Sequence, residues 1–394
     1  MGSIRMEAIA RLLLMAALIF LTACSSADIE PNAGYGTNTS SPGPPSEASI
    51  EERPTPSVDE THNEFVDKMT GIVTVFFASN RNVVSDYGCV DSLGKQRSKS
   101  LAYGYCHVKI PFDHKTGIIE SPSWFKLEWT ENPEKHVSII GGGVVPKAEF
   151  ENLISHRLKE NGTTFIYVHG YNVSFENAAK RTAQMAYDLD FKGVPAFYSW
   201  PSAGSPKSYV PDEATIEASK TKYYKFLVDY LENPNVKNVY LIAHSMGNRA
   251  VAAGLVTIND KHPELRAKIK EIILAAPDID SDVFTDEIIP GIESAKWPVT
   301  MYASNKDLAL LASKTYHDFP RAGYISNTLT VMPGLETVDA SLIKTDLLNH
   351  SYYGDSTTLI YDIYNIINTG ARANQRQKLT EISDANGVYW RFTP

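Results

Sequence analysis

Residues 236–255 read VKNVYLIAHSMGNRAVAAGL, and this segment carries the clearest structural pattern in the chain. An apolar, β-branched run (239–242) stops at the segment AHSMG (243–247), and an alanine-rich helical pattern follows at once. A strand, a sharp turn and a helix with serine at the apex match the G-x-S-x-G turn, with alanine in the first glycine position. Small residues are required two places before and after that serine, because larger side chains would collide where the strand meets the helix. The pattern therefore predicts Ser245 as a nucleophile.

Strands and helices alternate on both sides of this turn. The apolar, β-branched runs that predict strands are 165–168, 194–200, 239–243, 272–276, 299–303 and 337–341. Segments that predict helices are 175–189, 213–231 and 357–367. This alternation predicts an α/β fold, with a mostly parallel, doubly wound sheet and helices on both faces. Residues 71–143 show no helical period, and runs at 71–77, 106–110, 124–129 and 136–140 predict a β-rich N-terminal section.

Two aspartates and one histidine follow Ser245 in the chain order Ser, acid, His that is typical of hydrolases with this turn. The strand 239–243 precedes Ser245. Asp307 comes after the second predicted strand beyond it and is the favoured acid, while Asp278 comes after the first and is the alternative. His350 is the predicted base, because it lies between the last predicted strand and the last predicted helix. His317 also follows both acids, but it falls near a helix, where a surface role is expected.

The oxyanion of an acyl-transfer intermediate needs two amide donors. Met246, directly after the nucleophile, is expected to supply one, and the loop after strand 165–168 the other. In that loop the amide of Tyr171 is favoured over that of Gly170, whose lack of a side chain lets the backbone approach a substrate carbonyl. His169 is expected to form hydrogen bonds within its own loop.

Five segments together resemble a family of bacterial α/β-hydrolases catalogued as domain of unknown function 900. They are FIYVHGYN (165–172), FYSWPS (197–202), LIAHSMGN (241–248), LAAPDID (274–280) and YASNKD (302–307). The resemblance extends from about residue 73 to residue 393. It implies the α/β-hydrolase fold and a serine-hydrolase triad, and it implies no substrate.

The first 24 residues predict export. Arg5 and Arg11 precede or flank an apolar run of about ten residues, which is too short to span a membrane. The segment LTAC (21–24) resembles the lipobox of bacterial lipoproteins, which implies cleavage before Cys24 and lipid modification of that residue. Ser25 after the cysteine implies an outer-membrane lipoprotein whose domain faces the periplasm. Residues 25–62 are rich in Ser, Pro and Gly and predict a disordered tether, so that 63–394 form the hydrolase domain.

Composition narrows the function further. The formal net charge is −9, which gives no reason to expect a nucleic-acid partner. Of three cysteines, Cys89 and Cys106 remain after Cys24, and a disulfide and two thiols are equally compatible with the sequence. The aspartates 278, 280 and 282 do not fit a calcium loop, because Val283 and Ile289 occupy its glycine and glutamate positions, so neither a metal nor a cofactor is expected.

The predicted function is hydrolysis of a small-molecule or lipid ester at the cell envelope through Ser245, His350 and Asp307. Acyl transfer or peptide cleavage by the same triad remains open, as does a catalytically inert lipoprotein that uses the fold as a binding scaffold. The oligomeric state is not indicated. The loop 201–212 either lines the acyl pocket or is a plain surface connection.

Overall fold

The computed structural model describes residues 66–85, 87–123, 128–326, 329–343, 357–385 and 387–393. Twelve strands of this part of the chain form one sheet. The strands are β1 (Val66–Asp67), β2 (Ile72–Val83), β3 (Leu93–Lys109), β4 (Ser138–Val145), β5 (Thr163–Val168), β6 (Val194–Ser199), β7 (Asn238–His244), β8 (Ile269–Ala275), β9 (Val299–Ala303), β10 (Leu335–Asp339), β11 (Leu379–Asp384) and β12 (Gly387–Phe392).

The helices alternate with the central strands. They are α1 (Lys147–Leu158), α2 (Phe175–Asp188), α3 (Tyr209–Glu232), α4 (Gly247–Lys261), α5 (Ser281–Val283), α6 (Ile289–Ser294), α7 (Leu308–His317) and α8 (Thr357–Thr369). A π-helical turn, Phe284–Ile288, joins α5 to α6, and 3₁₀ turns occur at Pro206–Ser208, Pro263–Lys268 and Ala373–Gln375.

The strand order is β11-β12-β10-β9-β8-β7-β5-β6-β2-β3-β4, with β1 paired to β2. All neighbours from β2 through β6, β5, β7, β8, β9 and β10 to β12 are parallel. The pairs β1–β2, β2–β3, β3–β4 and β11–β12 are antiparallel. The sheet is therefore mostly parallel with an antiparallel, β-rich N-terminal section, as the sequence predicts.

The order of the strands brings the ends of β5 and β7 together. The chain moves in one direction from β5 to β6, and in the opposite direction from β6 to β7 and on to β8. Because parallel crossovers are right-handed, α2 lies on one face of the sheet while α3 and α4 lie on the other. Such a reversal opens a crevice at the carboxyl ends of the adjacent strands, where ligands bind in doubly wound sheets. In this chain those strands are β5 and β7.

Several boundaries differ from the prediction. Helix α3 begins at Tyr209, four residues before the predicted start at residue 213, and α1 was not predicted. The run 337–341 is not the last strand, because the hairpin of β11 and β12 follows α8 and extends the sheet beside β10. Glu128 and Trp129 are not in a strand, which contradicts the end of the run 124–129, whose first four residues lie outside the described ones.

Cys89 and Cys106 form a disulfide with a Cα–Cα distance of 5.5 Å and a sequence separation of 17 residues. The sequence had left this pairing open. The bond joins Cys89, in the turn between β2 and β3, to Cys106 in β3. None of the helices in the part of the chain that the structure describes combines the length and apolar content that crossing a bilayer requires.

Candidate active site

Ser245 stands at the turn between β7 and α4 with φ of +49°, a left-handed conformation that a non-glycine residue rarely adopts. Its amide donates to the carbonyl of Ala275 at 2.9 Å. Its carbonyl accepts from the amide of Asp278 at 3.2 Å and from the side-chain amide of Asn248 at 2.8 Å. The backbone of β8 and the first turn of α4 thus hold the strained residue in place, which is the arrangement of a nucleophile elbow.

The positions around Ser245 have no room for larger residues. A Cβ on Gly247 would lie 2.5 Å from the carbonyl oxygen of His169 and 2.7 Å from that of Val168. A Cβ on Gly170 would lie 2.9 Å from the Cβ of Ser245. The loop after β5 and the elbow are therefore in close contact. A small residue is required at position 247, and the atoms that a larger side chain would meet belong to the end of β5 rather than to the junction of β7 and α4.

The amide of Met246 is available as a donor. It takes part in none of the hydrogen bonds found among the described residues. Met246 directly precedes the first turn of α4, so the positive end of the helix dipole lies beside its amide. Gly170 and Tyr171, the other predicted donors, lie in the loop that packs on Ser245.

A chain of hydrogen bonds fixes this loop. His169 donates from Nδ1 to the carbonyl of Gly170 at 2.9 Å, because a carbonyl can only accept. Its Nε2 then accepts from the hydroxyl of Ser199 at 3.2 Å, and that hydroxyl accepts from Nε of Arg81 at 3.0 Å. Burial, and then the charge of Arg81, lower the pKa of His169 to about 3. His169 is therefore a neutral part of its own loop, as predicted.

Asp212 joins the same loop to the segment after β6. Its carboxylate accepts from the amide of Asn172 at 3.3 Å, from the hydroxyl of Ser202 at 2.6 Å and from the amide of Ala203 at 2.9 Å. The hydroxyl of Tyr171 donates to the carbonyl of Pro206. The segment 201–212 is consequently anchored against the predicted oxyanion loop.

Asp278, the alternative acid, lies beyond β8 and is 1% exposed. Its Oδ2 accepts from the hydroxyl of Tyr209 at 2.7 Å, and its Oδ1 accepts from the hydroxyl of Ser313 at 2.7 Å. Arg249 and Arg321 lie at ion-pair distances of 3.5 and 3.6 Å. Both carboxylate oxygens of Asp278 are thus bound to hydroxyl groups of the protein.

Asp307, the favoured acid, lies beyond β9, which pairs with β8 as the sequence order requires. It is fully buried and caps α7, since its Oδ1 accepts from the amides of Ala309 and Leu310 at 2.9 Å each. Burial raises the pKa of Asp307 to about 7, although the two amides lower it, and the nearby charge of Asp278 adds to the rise.

The predicted base, His350, lies outside the described residues, as do Cys24 and the tether. His317 ends α7, where its Nδ1 bonds the carbonyl of Ser313 at 2.9 Å and its Nε2 bonds Glu213 at 2.9 Å. The side chain of His317 is therefore partly buried and tied to α7 and α3, rather than the plain surface residue that the sequence predicts.

Sequence reasoning missed the residues that support the site. Arg81 and Ser199 carry the His169 network, and Tyr209 and Ser313 hold Asp278. Asn248 and Ser199 lie within the segments LIAHSMGN (241–248) and FYSWPS (197–202), and the amide side chain of Asn248 reaches the elbow carbonyl. Arg81, Tyr209 and Ser313 are distant from the turn in sequence, so no local pattern identifies their roles.

Comparisons with known proteins give one family. The family model described as "Alpha/beta hydrolase of unknown function (DUF900)" matches residues 146–369, which is more than half of the chain and less than the span 73–393 over which the sequence resembles the family. A search of functionally curated proteins finds no match.

Solved structures give distant likenesses. An uncharacterized protein from Bacillus cereus is 14% identical over 54% of this chain and 61% of its own length, with a TM-score of 0.35. A predicted CIB-like hydrolase from Thermoplasma acidophilum is 16% identical over 57% and 88%, with a TM-score of 0.30. Est1E from Butyrivibrio proteoclasticus is 13% identical over 67% and 92%, with a TM-score of 0.31. At these TM-scores the alignments add nothing about substrate or activity.

Proposed function

Because the chain belongs to the DUF900 family of alpha/beta hydrolases, we propose that it is a serine hydrolase that cleaves carboxylic esters through an acyl-enzyme on Ser245. The observation that carries the proposal is the strained backbone of Ser245, with φ of +49°, at the turn between β7 and α4. Strain at a single non-glycine residue persists only where surrounding structure enforces it, and such residues concentrate at functional sites.

In the proposed reaction His350 removes the proton from the hydroxyl of Ser245 as the oxygen attacks the ester carbonyl. The amides of Met246 and Tyr171 bind the oxyanion, and each such donor is worth ~10²–10³ in rate. His350 then gives the proton to the leaving alcohol, and a water molecule repeats the sequence to release the acid. Asp307 holds the imidazole and stabilises its charge.

Two observations support Asp307 over Asp278 as the partner of His350. Both oxygens of Asp278 already accept hydroxyl hydrogen bonds at 2.7 Å. The raised pKa of Asp307, about 7, is also what a buried carboxylate would show before a cation forms beside it.

An organophosphonate probe tests the nucleophile. We expect the purified protein to be labelled covalently, Ser245→Ala to lose all labelling, and Ser100→Ala, a change at an exposed serine of β3, to keep it. Labelling that persists in Ser245→Ala would refute the proposal. Hydrolysis of p-nitrophenyl esters without cleavage of peptides would separate esterase from peptidase activity.

Variants at two histidines test the base. His350→Ala should reduce ester hydrolysis by ~10³-fold or more, because the serine then lacks its general base. His317→Ala removes contacts with Ser313 and Glu213 and should change the rate little once the protein is folded. The reverse order of effects would assign the base to residue 317.

We also propose that Cys24 carries a lipid and that the domain faces the periplasm from the outer membrane. Support comes from the sequence LTAC (21–24) followed by Ser25. Metabolic labelling with an alkynyl fatty acid should mark the wild-type protein and leave Cys24→Ser unmarked. Equal labelling of both would refute the anchor, and separation of inner and outer membranes would test the location.

A further inference from the structure

Helix α7 lies across the carboxyl edge of the sheet, next to the proposed catalytic residues. It begins after Asp307, which follows β9. In its second half the hydroxyl of Ser313 donates to Asp278, beyond β8, at 2.7 Å. Near its end the ring of Tyr316 packs on that of Tyr209, at the start of α3, with a centroid distance of 6.3 Å. Both ends of α7 are therefore at the edge where the proposed nucleophile lies.

The side chains of α7 form a buried face and an exposed one. Leu310 and Ser313 are buried. The exposed, uncharged residues are Leu311, Ala312, Thr315 and Tyr316, with Phe319 just beyond the helix, and we call these five the α7 surface. The spacing of the first four places them on one side of a helix. The large apolar side chains at positions 311, 316 and 319 are 40%, 63% and 58% exposed.

Aromatic rings connect the α7 surface to the proposed oxyanion loop. Tyr316 contacts Tyr209, and the ring of Tyr209 packs edge-on against that of Tyr171 with a centroid distance of 5.4 Å. Exposed apolar residues are ordinary one at a time, but three large ones grouped at one short helix indicate a surface that binds something apolar. Since these rings lead towards the site of an ester carbonyl, the apolar partner and the substrate are expected at the same edge.

Lysines border the α7 surface. Lys306 is exposed directly before the helix, Lys314 is half-buried on it, and Lys207 is exposed in the 3₁₀ turn that leads to α3. The exposed acid of the segment 305–320 is Asp318. This local excess of lysine contrasts with the net charge of −9 of the whole chain. An apolar surface bordered by lysines complements a lipid layer with anionic headgroups, because the apolar side chains enter the interface while the ammonium groups stay among the headgroups.

We propose that the α7 surface docks on a membrane that contains anionic phospholipids, and that the esters cleaved at Ser245 belong to lipids of that membrane. The choice of substrate rests on the proposed ester hydrolysis, whereas the docking does not. A lipid on Cys24, proposed above from the sequence, would keep the chain at a membrane and raise the effective concentration of such a surface.

A fluorescent label on α7 tests the docking. The full chain carries Cys24→Ser, to remove the lipid, and Ser245→Ala, to prevent hydrolysis. Thr315→Cys then adds the one thiol outside the disulfide of Cys89 and Cys106, and it is coupled to a nitrobenzoxadiazole dye, whose emission rises in apolar surroundings. Vesicles of phosphatidylcholine with about one-third phosphatidylglycerol should raise the emission at least threefold.

The same label at Val388 is the control for position. This residue is exposed at the start of β12, and because β12 runs parallel to β10 it lies at the opposite edge of the sheet from α7. The emission of labelled Val388→Cys should not change with the same vesicles. A rise at both positions, or at neither, overturns the assignment of docking to α7.

Variants of the labelled chain separate the apolar and the charged contributions. Leu311→Asp combined with Phe319→Asp should raise the half-saturating lipid concentration at least tenfold, and Val388→Asp is the matched control that should leave it unchanged. Lys306→Gln combined with Lys314→Gln should raise it about 30-fold, the combined contribution of two lysines at an anionic surface. Equal binding to vesicles of phosphatidylcholine alone excludes the anionic surface, and unchanged binding of the aspartate pair excludes the apolar one.

Hydrolysis by the Cys24→Ser chain with Ser245 intact tests the substrate. The combined Leu311→Asp and Phe319→Asp variant should release fatty acid from vesicle phospholipid at least tenfold more slowly, while its hydrolysis of p-nitrophenyl acetate stays within twofold of the parent chain. Equal losses on both substrates overturn the role of docking in hydrolysis. A parent chain that cleaves p-nitrophenyl acetate but no vesicle lipid overturns the lipid substrate. Cleavage of neither refutes the proposed ester hydrolysis instead, and the labelled chain still decides the docking.

Discussion

Substitution of Gly170 by alanine tests the contact between the loop after β5 and the elbow. The new Cβ would lie 2.8 Å from Nδ1 of His244, 2.9 Å from Cβ of Ser245 and 3.1 Å from the carbonyl oxygen of His244. Heavy atoms in contact normally stand about 3.5–4.0 Å apart. Two of these atoms belong to backbone or to a Cβ, which cannot rotate away, so the loop itself has to move.

The displacement sets the size of the effect. Relief of the overlaps needs a movement of roughly 0.5–1 Å. Such a shift carries the amide of Tyr171 away from the oxyanion, and the loss of one donor costs ~10²–10³ in kcat. Because that donor acts on the transition state, KM should change little. Overpacking should also lower the free energy of unfolding by about 1–3 kcal/mol.

Steady-state hydrolysis of a p-nitrophenyl ester and urea unfolding measure the two effects. Gly143→Ala is the matched control, since the nearest atom to its new Cβ is the carbonyl oxygen of Gly88 at 4.0 Å. It should keep wild-type kcat. A folded Gly170→Ala protein with kcat within threefold of wild type would refute the assignment of this loop to the oxyanion site.

Three further changes give distinct results. The folded-state pKa of Asp307, about 7, is above its ordinary value of 3.8, so the folded protein holds a proton that the unfolded chain has released, and stability falls as pH rises between those values. In urea unfolding, the free energy of unfolding of Asp307→Asn should therefore rise relative to that of wild type from pH 4.5 to 8, by up to about 4 kcal/mol. Ester hydrolysis by this variant at pH 8 should fall. A stability difference that does not depend on pH would contradict the burial argument. Asp278→Asn should lower stability, because it weakens the acceptors for the hydroxyls of Tyr209 and Ser313, and should reduce kcat less than Asp307→Asn does in the same assay. The opposite ranking would make residue 278 the acid. Reduction of the disulfide between Cys89 and Cys106 should lower the free energy of unfolding by about 3 kcal/mol for a loop of this size, with kcat unchanged, and equal unfolding curves with and without reductant would contradict that.

The strands near the site were predictable because their signal is local. Each central strand is an apolar run that ends at small or polar residues, and β9 has the predicted bounds of 299–303. The turn at Ser245 needs small neighbours for steric reasons, and residues 243–247 together with the strand and helix patterns on either side identify it. The parallel sheet then follows from the alternation of strands and helices.

The elements that the sequence did not predict, helix α1 and the hairpin of β11 and β12, depend on long-range packing. Helix α1 buries Phe150, Ile154 and Leu158 at a helical spacing, but charged residues between them weaken its pattern. The hairpin of β11 and β12 is mostly exposed or half-buried, and the parallel pairing of β12 with β10 holds it to the sheet. Pairing between strands so far apart in the chain leaves no mark on the local sequence.

The arrangement of the two aspartates shows why chain order alone could not choose the acid. Asp278 follows β8, the neighbour of β7, and Asp307 follows β9, the next strand along, and both lie after Ser245 in the chain and are buried. Their surroundings differ, since Asp278 satisfies two hydroxyls and faces two arginines, whereas Asp307 caps a helix and carries a raised pKa. A carboxyl group whose pKa is raised by burial gains most when a cation forms beside it, because the positive charge favours its ionised form. The hydroxyls of α3 and α7 already bind both oxygens of Asp278, so the raised pKa of Asp307 favours Asp307 as the acid.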